Sequence, residues 1–367
     1  MTTLDARALN RATLARQLML RRATLPAVDA VARLVGLQAQ NVRPPYVALA
    51  ARLEGFRPEE LSEAMADRRV ARLVTMRSTL HTHTAADALT LRPFVRVAPE
   101  RELTPFRRGL AGVDLKELAV RVRALVEEEP RDMGQLRAAL ASYHPDADPH
   151  SLVMAARSVL PLVQVTPRGL WRRSGQVVLT TAEHWFGRPA GEPVRPEDAV
   201  RRYLAAFGPA SVKDMQNWAG VTRLRPHFEA LREELLVLRD EHGTELFDLP
   251  EAPRPAPDTE APVRLLPEYD NLLLGHADRS RLVPEKYRGW NAVRNGALPA
   301  LMVDGFLAGV WKLAEKRGEA VITVEPFGDL DAGQRAAVTE EAARMLSVLA
   351  EPDADHRVEF GTVRRMK

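Results

Sequence analysis

Residues Pro196–Leu249 read PEDAVRRYLAAFGPASVKDMQNWAGVTRLRPHFEALREELLVLRDEHGTELFDL, and this stretch decides the fold. Pro196–Phe207 has apolar residues at helical spacing and proline in its first turn, where a missing N–H costs nothing. Gly208-Pro209-Ala210-Ser211 breaks that helix, and Ser211 is placed to cap a second one over Val212–Ala219. Arg225–Glu234 supplies a third helix. Leu235–Leu249 then reads as a hairpin turning at Glu241-His242-Gly243. Three helices followed by a β-hairpin is the plan of a winged helix, a helix-turn-helix variant.

The same plan recurs upstream. Asp114–Glu129 is a helix with an aspartate cap, ended by Pro130. Asp132–Ala141 and Pro149–Leu160 follow as helices, and Pro161–Thr181 carries two β-rich runs around Gly169 and Gly175. In the first third, Ala8–Leu20, Leu25–Leu37, Pro44–Leu53 and Pro58–Ala66 read as helices. Val70–Thr84 alternates as a hairpin would, and Ala85–Leu110 reads as a helical bridge. Downstream, the proline- and acid-rich Glu251–Pro262 reads as a surface linker. Beyond it, Val263–Leu266, Ala300–Asp304, Phe306–Leu313, Ala320–Pro326 and Arg357–Val363 are β-rich, with one helix at Asp331–Leu349. The expected fold is mainly α with β. It has three tandem winged-helix units (1–110, 111–190 and 191–250), a linker (251–262) and a C-terminal β-barrel-like domain (263–367).

The 367 residues are 46% hydrophobic and 28% charged, enough for a real core and unlike a disordered chain. Cysteine is absent, which excludes disulfides, thiolate catalysis and zinc ribbons and fits a reducing bacterial cytoplasm. No signal peptide and no apolar membrane-length run is read, so no membrane partner is expected. Net charge is +3, but residues 1–110 hold 18 Lys/Arg against 10 Asp/Glu. Arginine bias fits a GC-rich genome. The asymmetry along the chain fits a phosphate footprint in the first third.

Within that basic third lies Leu37-Gln38-Ala39-Gln40-Asn41, followed by Arg43. It is expected at the end of the second helix. Two amides there could recognise a base edge, a sugar or a water, or merely satisfy an exposed helix end. A glutamine is no Brønsted base, though its oxygen can orient water and its NH2 can donate. Arg77, Thr79, His81 and His83 would share one strand face as a polar wall. A two-histidine metal site would lack a third ligand nearby. Trp171-Arg172-Arg173 sits at a wing, where it could touch a DNA backbone or form a solvated tip. Glu268 and Asp270 could hold magnesium as in a nuclease, steady an oxocarbenium-like sugar, or pair with arginines. No phosphate-binding loop, dinucleotide fingerprint or Ser-His-Asp elbow is present.

Three of these segments carry a resemblance: Gly36-Leu37-Gln38-Ala39-Gln40, Met76-Arg77-Ser78-Thr79-Leu80-His81, and Leu265–Asn271 with His276-Ala277-Asp278-Arg279. In order and spacing the chain resembles the AlkZ/YcaQ family of winged-helix DNA glycosylases. Ser78 stands where the family has glycine. The resemblance implies a concave basic surface for double-stranded DNA and excision of N7-alkylated purines, azinomycin-type interstrand crosslinks included. It implies Gln38 and Gln40 as catalytic residues. It also implies a hairpin probing the minor groove, assigned to Ala300–Leu313 around Asp304-Gly305. With the wing and motif residues, the expected DNA contacts are Asn41, Arg43, Arg77, His81, Trp171, Arg172, Arg173, Asp304, Gly305 and Phe306. Neither metal nor cofactor is expected, and a monomer suffices because tandem units can occupy one site. No lysine precedes Lys116, so no Schiff base and no lyase step is expected near the motif. A base tethered to the opposite strand cannot be flipped into a deep pocket, which predicts an open site.

Overall fold

Helix starts follow capping side chains, of which Asp114 and Ser211 are those expected from the sequence. Asp114, Asp132, Asp148, Ser211 and Asp331 each accept a hydrogen bond from the first turn of the helix they precede. The structure is a computed structural model, and it describes residues 2–96, 101–290 and 298–363. The expected bridge Ala85–Leu110 is a helix over Ala85–Phe94 and a 3-10 turn over Thr104–Leu110, while its residues 97–100 lie outside the described ones. No described helix is long and apolar enough to cross a membrane.

One order of elements occurs three times: helix, very short strand, two helices, hairpin. The first runs Ala27–Arg33, Leu37–Gln38, Pro44–Arg52, Pro58–Ala66, then Val70–Val74 and Leu80–Thr84. The second runs Leu115–Glu128, Arg131–Asp132, Met133–Tyr143, Pro149–Val159, then Leu162–Gln164 and Val178–Thr181. In the third, Pro196–Phe207 leads through an isolated bridge at Ala210 to Val212–Ala219 and Arg225–Ala230, then Leu236–Asp240 and Glu245–Asp248. Each time the short strand pairs with the second strand of its hairpin.

The first two repeats share one six-stranded sheet. It is joined where Arg72 and Leu73 pair with Gln164 and Val163, so hydrogen bonding runs across the expected boundary at 110. The N-terminal Thr3–Leu4 pairs in parallel with the hairpin of the third repeat. The C-terminal strands form an open five-stranded sheet, with Arg264–Leu266 at one edge and Asp355–Phe360 at the other. Among the described residues no barrel closes, which corrects the barrel-like expectation. Ala320, Ile322 and Val324 are buried on one face of that sheet. They share a core with Val338, Met345 and Leu346 of the Ala332–Leu349 helix and with Tyr46 and Leu49 of the first repeat. A sheet covered in this way buries its apolar face without closing on itself.

The Ala6–Arg16 helix ties the parts together. Arg16 and Asp248 form an ion pair with both side chains fully buried. Arg11 reaches the carbonyl oxygen of Thr259 and Arg7 that of Pro257, so the segment read as a surface linker is pinned to this helix. Arg11, Arg16, Arg52 and Arg72 are among the largest fully buried side chains. Much of the basic excess of the first third is therefore interior, held by carboxylates, an amide oxygen and carbonyls, and cannot meet phosphates.

Candidate active site around Gln38

The glutamine motif is not at a helix end. The second helix stops at Arg33, Val35 and Gly36 turn the chain with φ values of 56° and 90°, and Leu37–Gln38 becomes a strand. A Cβ on Gly36 would lie 2.3 Å from the His83 ring, so only glycine lets that ring pack against the turn. In the register, Gln38 lies directly across from His81. Gln38 is buried at 6% exposure, whereas Gln40 and Asn41 are exposed.

Arg77 sets the direction of Gln38. Its Nη2 donates to Gln38 Oε1 at 2.8 Å, and its Nη1 donates to the carbonyl oxygen of Trp218 in the third repeat. A guanidinium has no acceptor, so the oxygen of the amide must face it and the NH2 must face elsewhere. Burial first, then the nearby Arg279, lowers Arg77 to about 10, which leaves it cationic at neutral pH. Arg77 and Ser78 have φ values of 52° and 60°. They form a tight turn between the hairpin strands, not the alternating strand face expected from the sequence. Two left-handed non-glycine residues in succession are local backbone strain beside the motif. Gln40 also turns its oxygen to a donor, the backbone N–H of Leu80 at 3.4 Å. Arg72, placed in the apolar run Val70–Val74, donates to the Ala39 carbonyl oxygen at 2.6 Å and holds the motif from behind. The signal in the sequence was a charge inside a β-branched run.

His81 and His83 are both interior. Desolvation, then Arg77 and His83, holds His81 well below the usual histidine range. Desolvation lowers His83 to about 4. His81 Nδ1 lies 3.0 Å from the Thr79 carbonyl oxygen, an acceptor only, so neutral His81 carries its proton on Nδ1. His83 Nε2 is 3.0 Å from Thr75 Oγ1. Among the described residues no group of three or more histidines and carboxylates could hold a metal ion. The depressed values fix a sign. Below pH 6.5 the unfolded chain takes up protons that folded His83 refuses until about pH 4, so stability is lost as pH falls through that window. His83→Gln is expected to shrink the loss between pH 7 and pH 5 in urea unfolding. An equal loss in both proteins would place the acid sensitivity elsewhere.

Glu268 and Asp270 part company. Asp270 is fully buried, with both carboxylate oxygens on Arg52 at 2.8 and 2.7 Å. It cannot serve a magnesium pair. Glu268 Oε1 instead accepts from Asn41 Nδ2 at 3.0 Å. Next to it, Tyr269 lines a cavity of about 380 Å³ together with Asn217, Arg279 and Trp290. The guanidinium of Arg279, a residue that neither charge nor spacing singled out alone, has no hydrogen bond or ion pair among the described residues, although its backbone carbonyl accepts from Leu282 and Val283.

The structure brings Gln38, Gln40, Asn41, Arg77 and His81 together and leaves the other expected contacts outside this group. Trp171-Arg172-Arg173 lie in the loop that joins the strands Leu162–Gln164 and Val178–Thr181, with Trp171 and Arg172 in a turn. The Trp171 ring packs 4.8 Å from Tyr46, and Arg172 pairs with Glu315 and Glu351. Arg43 pairs with the same Glu315 and also donates to the Leu349 carbonyl oxygen. These residues join the repeats to the C-terminal sheet, and of that group only the Arg173 side chain is left exposed without a partner among the described residues. Asp304 is taken by Arg7 and Arg11, and Asn10 donates to the Gly305 carbonyl oxygen at 2.8 Å. The Asp304-Gly305-Phe306 turn is thus docked on the first helix, which corrects its assignment as a free groove-probing tip. The exposed hairpin tip of that sheet is at Lys316-Arg317-Gly318.

Comparison with known proteins places the chain in a family. The family model described as DNA glycosylase AlkZ-like matches residues 31–348. An interstrand DNA cross-link repair glycosylase of Streptomyces sahachiroi is 26% identical over 357 residues, covering 90% of this chain and 92% of that protein. The solved structure of Streptomyces sahachiroi DNA glycosylase AlkZ superposes with a TM-score of 0.80 at 23% identity, over 97% of this chain and all of that one. At that identity the superposition speaks for the fold, and the family model speaks for the activity. The chain belongs to the AlkZ-like DNA glycosylase family and is a DNA glycosylase.

Proposed function

We propose that this enzyme hydrolyses the N-glycosidic bond of N7-alkylated purines in duplex DNA, interstrand crosslinks among them, and does so as a monomer without a lyase step. The three repeats are read as winged helices. The observation that carries the proposal is the fixing of Gln38 by Arg77, which leaves an oriented amide NH2 at the site. An N7-alkylated guanine is already cationic and departs as a neutral base. It needs little protonation, so amides that hold the nucleotide and a water are adequate, and positioning alone is worth several kcal/mol. Gln40 and Asn41 are exposed beside buried Gln38, which suits a lesion still tethered to the opposite strand.

The test is single-turnover release of free base from a duplex bearing N7-methylguanine, in the presence of a chelator. Base release with an intact abasic strand and no borohydride-trapped adduct is expected. Strand cleavage that requires magnesium would instead favour a nuclease. Salt dependence checks the binding surface. Arg279→Ala is expected to make the log Kd against log salt slope shallower by about 0.9, one phosphate contact. Arg43→Ala should leave it unchanged, because Glu315 already occupies that guanidinium. A shallower slope for Arg43→Ala would return it to the phosphate contacts.

A further inference from the structure

We infer that Glu268 is a further catalytic residue, the carboxylate that takes the proton of the attacking water and faces the positive charge developing on the sugar. This rests on the glutamine-centred reading above. Hydrolysis releases a proton, and neither Gln38 nor Gln40 can accept it. An acceptor must lie within reach of the motif. Among the described residues Glu268 is the carboxylate whose hydrogen bond reaches the 37–41 segment, through Asn41 Nδ2 at 3.0 Å.

Its surroundings separate it from the structural carboxylates. Asp248, Asp270, Glu315 and Glu341 are each held by arginine. Glu268 has no arginine or lysine partner among the described residues, and its Oε2 has no hydrogen bond there. Tyr269, with φ of 60°, stands between it and Asp270. The chain delivers Asp270 to the interior and Glu268, half-buried, to the motif, one residue before the Tyr269 that lines the neighbouring cavity. A left-handed tyrosine is a costly backbone, and here it lies between a locked carboxylate and an unlocked one. His81 Nε2 is the competing acceptor, but a histidine kept neutral by burial and by Arg77 is a poor base.

The step balances with water as co-reactant. The water oxygen bonds to C1′ as the C1′–N9 bond breaks. The bonding pair leaves on N9 and neutralises the alkylated ring. The water proton passes to Glu268 Oε2 and then to solvent, leaving an abasic sugar and a free base. Asn41 holds Oε1, so Oε2 is the oxygen available to the water.

Glu268→Gln tests this with little structural cost, because the new amide oxygen still accepts from Asn41. Single-turnover base release from an N7-methylguanine duplex is expected to fall by roughly 100-fold or more, in the range of general-base loss, with Kd for that duplex essentially unchanged. Glu268→Asp should recover part of the rate. A Glu268→Gln enzyme with the wild-type rate overturns the inference. So does a slow one whose Kd rises in proportion, since that marks a role in holding the loop. Gln38→Ala, run in parallel, separates the two readings. If Gln38→Ala keeps the wild-type rate, the glutamine-centred site itself is wrong. If it is inactive while Glu268→Gln is not, only the role of Glu268 falls.

Discussion

Replacing Gln38 and Gln40 together by alanine is expected to lower base release by about 1,000-fold or more while leaving duplex binding intact. Removing a single preorganised donor from a site of developing charge typically costs about 100- to 1,000-fold. Two would be lost here. Binding should survive because a phosphate footprint is spread over many cations, and neither amide carries charge. Gln38→Ala should cost more than Gln40→Ala. Gln38 is buried and its oxygen is fixed by Arg77 at 2.8 Å, so its NH2 is already aimed; Gln40 is exposed and held only by a 3.4 Å contact. Gln38→Glu is the sharper variant. A carboxylate would pair with Arg77 and lose both N–H donors while keeping the volume. It should be as slow as alanine despite a thermal midpoint at or above that of wild type. Near-wild-type release by Gln38→Glu would mean that the oxygen, not the NH2, does the work. That outcome would reverse the assigned role.

The elements that repeat were legible because each obeys a local rule. Pro196–Phe207, Val212–Ala219 and Pro58–Ala66 begin and end where proline, Ser211 and the apolar spacing say they must. The site itself was harder to read, for a physical reason. Its strand is two residues long, and no periodicity exists over two residues. Leu25–Leu37 therefore looked like one helix through to the glutamines. In the second repeat the last residue of the short strand, Asp132, itself caps the next helix, and in the third Ser211 does so directly after the bridge at Ala210. In the first, Ala39–Arg43 intervene before Pro44. That inserted loop exposes Gln40 and Asn41, and a comparison of the three repeats in the sequence was the signal that could have found it. The arginines were misread because charge is counted one residue at a time, whereas partners come from afar. Arg16 meets Asp248, and Arg11 meets the backbone of Thr259. Nothing local separates these from an arginine that waits for a phosphate.

The second large effect concerns stability. Asp270→Asn is expected to cost about 3–5 kcal/mol, because it leaves the Arg52 guanidinium buried without its counter-charge. Arg52 and Asp270 are both fully buried, and Arg52 also donates to the Gln17 carbonyl oxygen at 3.1 Å and to the Ala48 carbonyl oxygen at 3.0 Å. Those bonds fix the guanidinium, so it cannot swing out to water when its partner is lost. Asp270 also accepts from Leu272 N at 2.8 Å, and neighbouring Asn271 donates to the Gly36 carbonyl oxygen at 2.6 Å. The pair therefore fastens the Glu268–Asn271 segment to the turn that precedes Gln38. Urea unfolding measures the loss, and a change below about 1 kcal/mol would mean that the neutral amide and the local carbonyls satisfy Arg52. Replacing both partners, as Arg52→Met with Asp270→Leu, should recover much of the stability, since buried pairs exchanged for apolar groups are often near neutral. Base release should not recover with it. The double variant keeps the volume but has no carboxylate to cap the Asn271–Leu274 turn, so Glu268 and Asn271 lose their fixed approach to the motif. Stability restored without activity would show that this buried charge serves the geometry of the site; both restored together would show that it serves the fold alone.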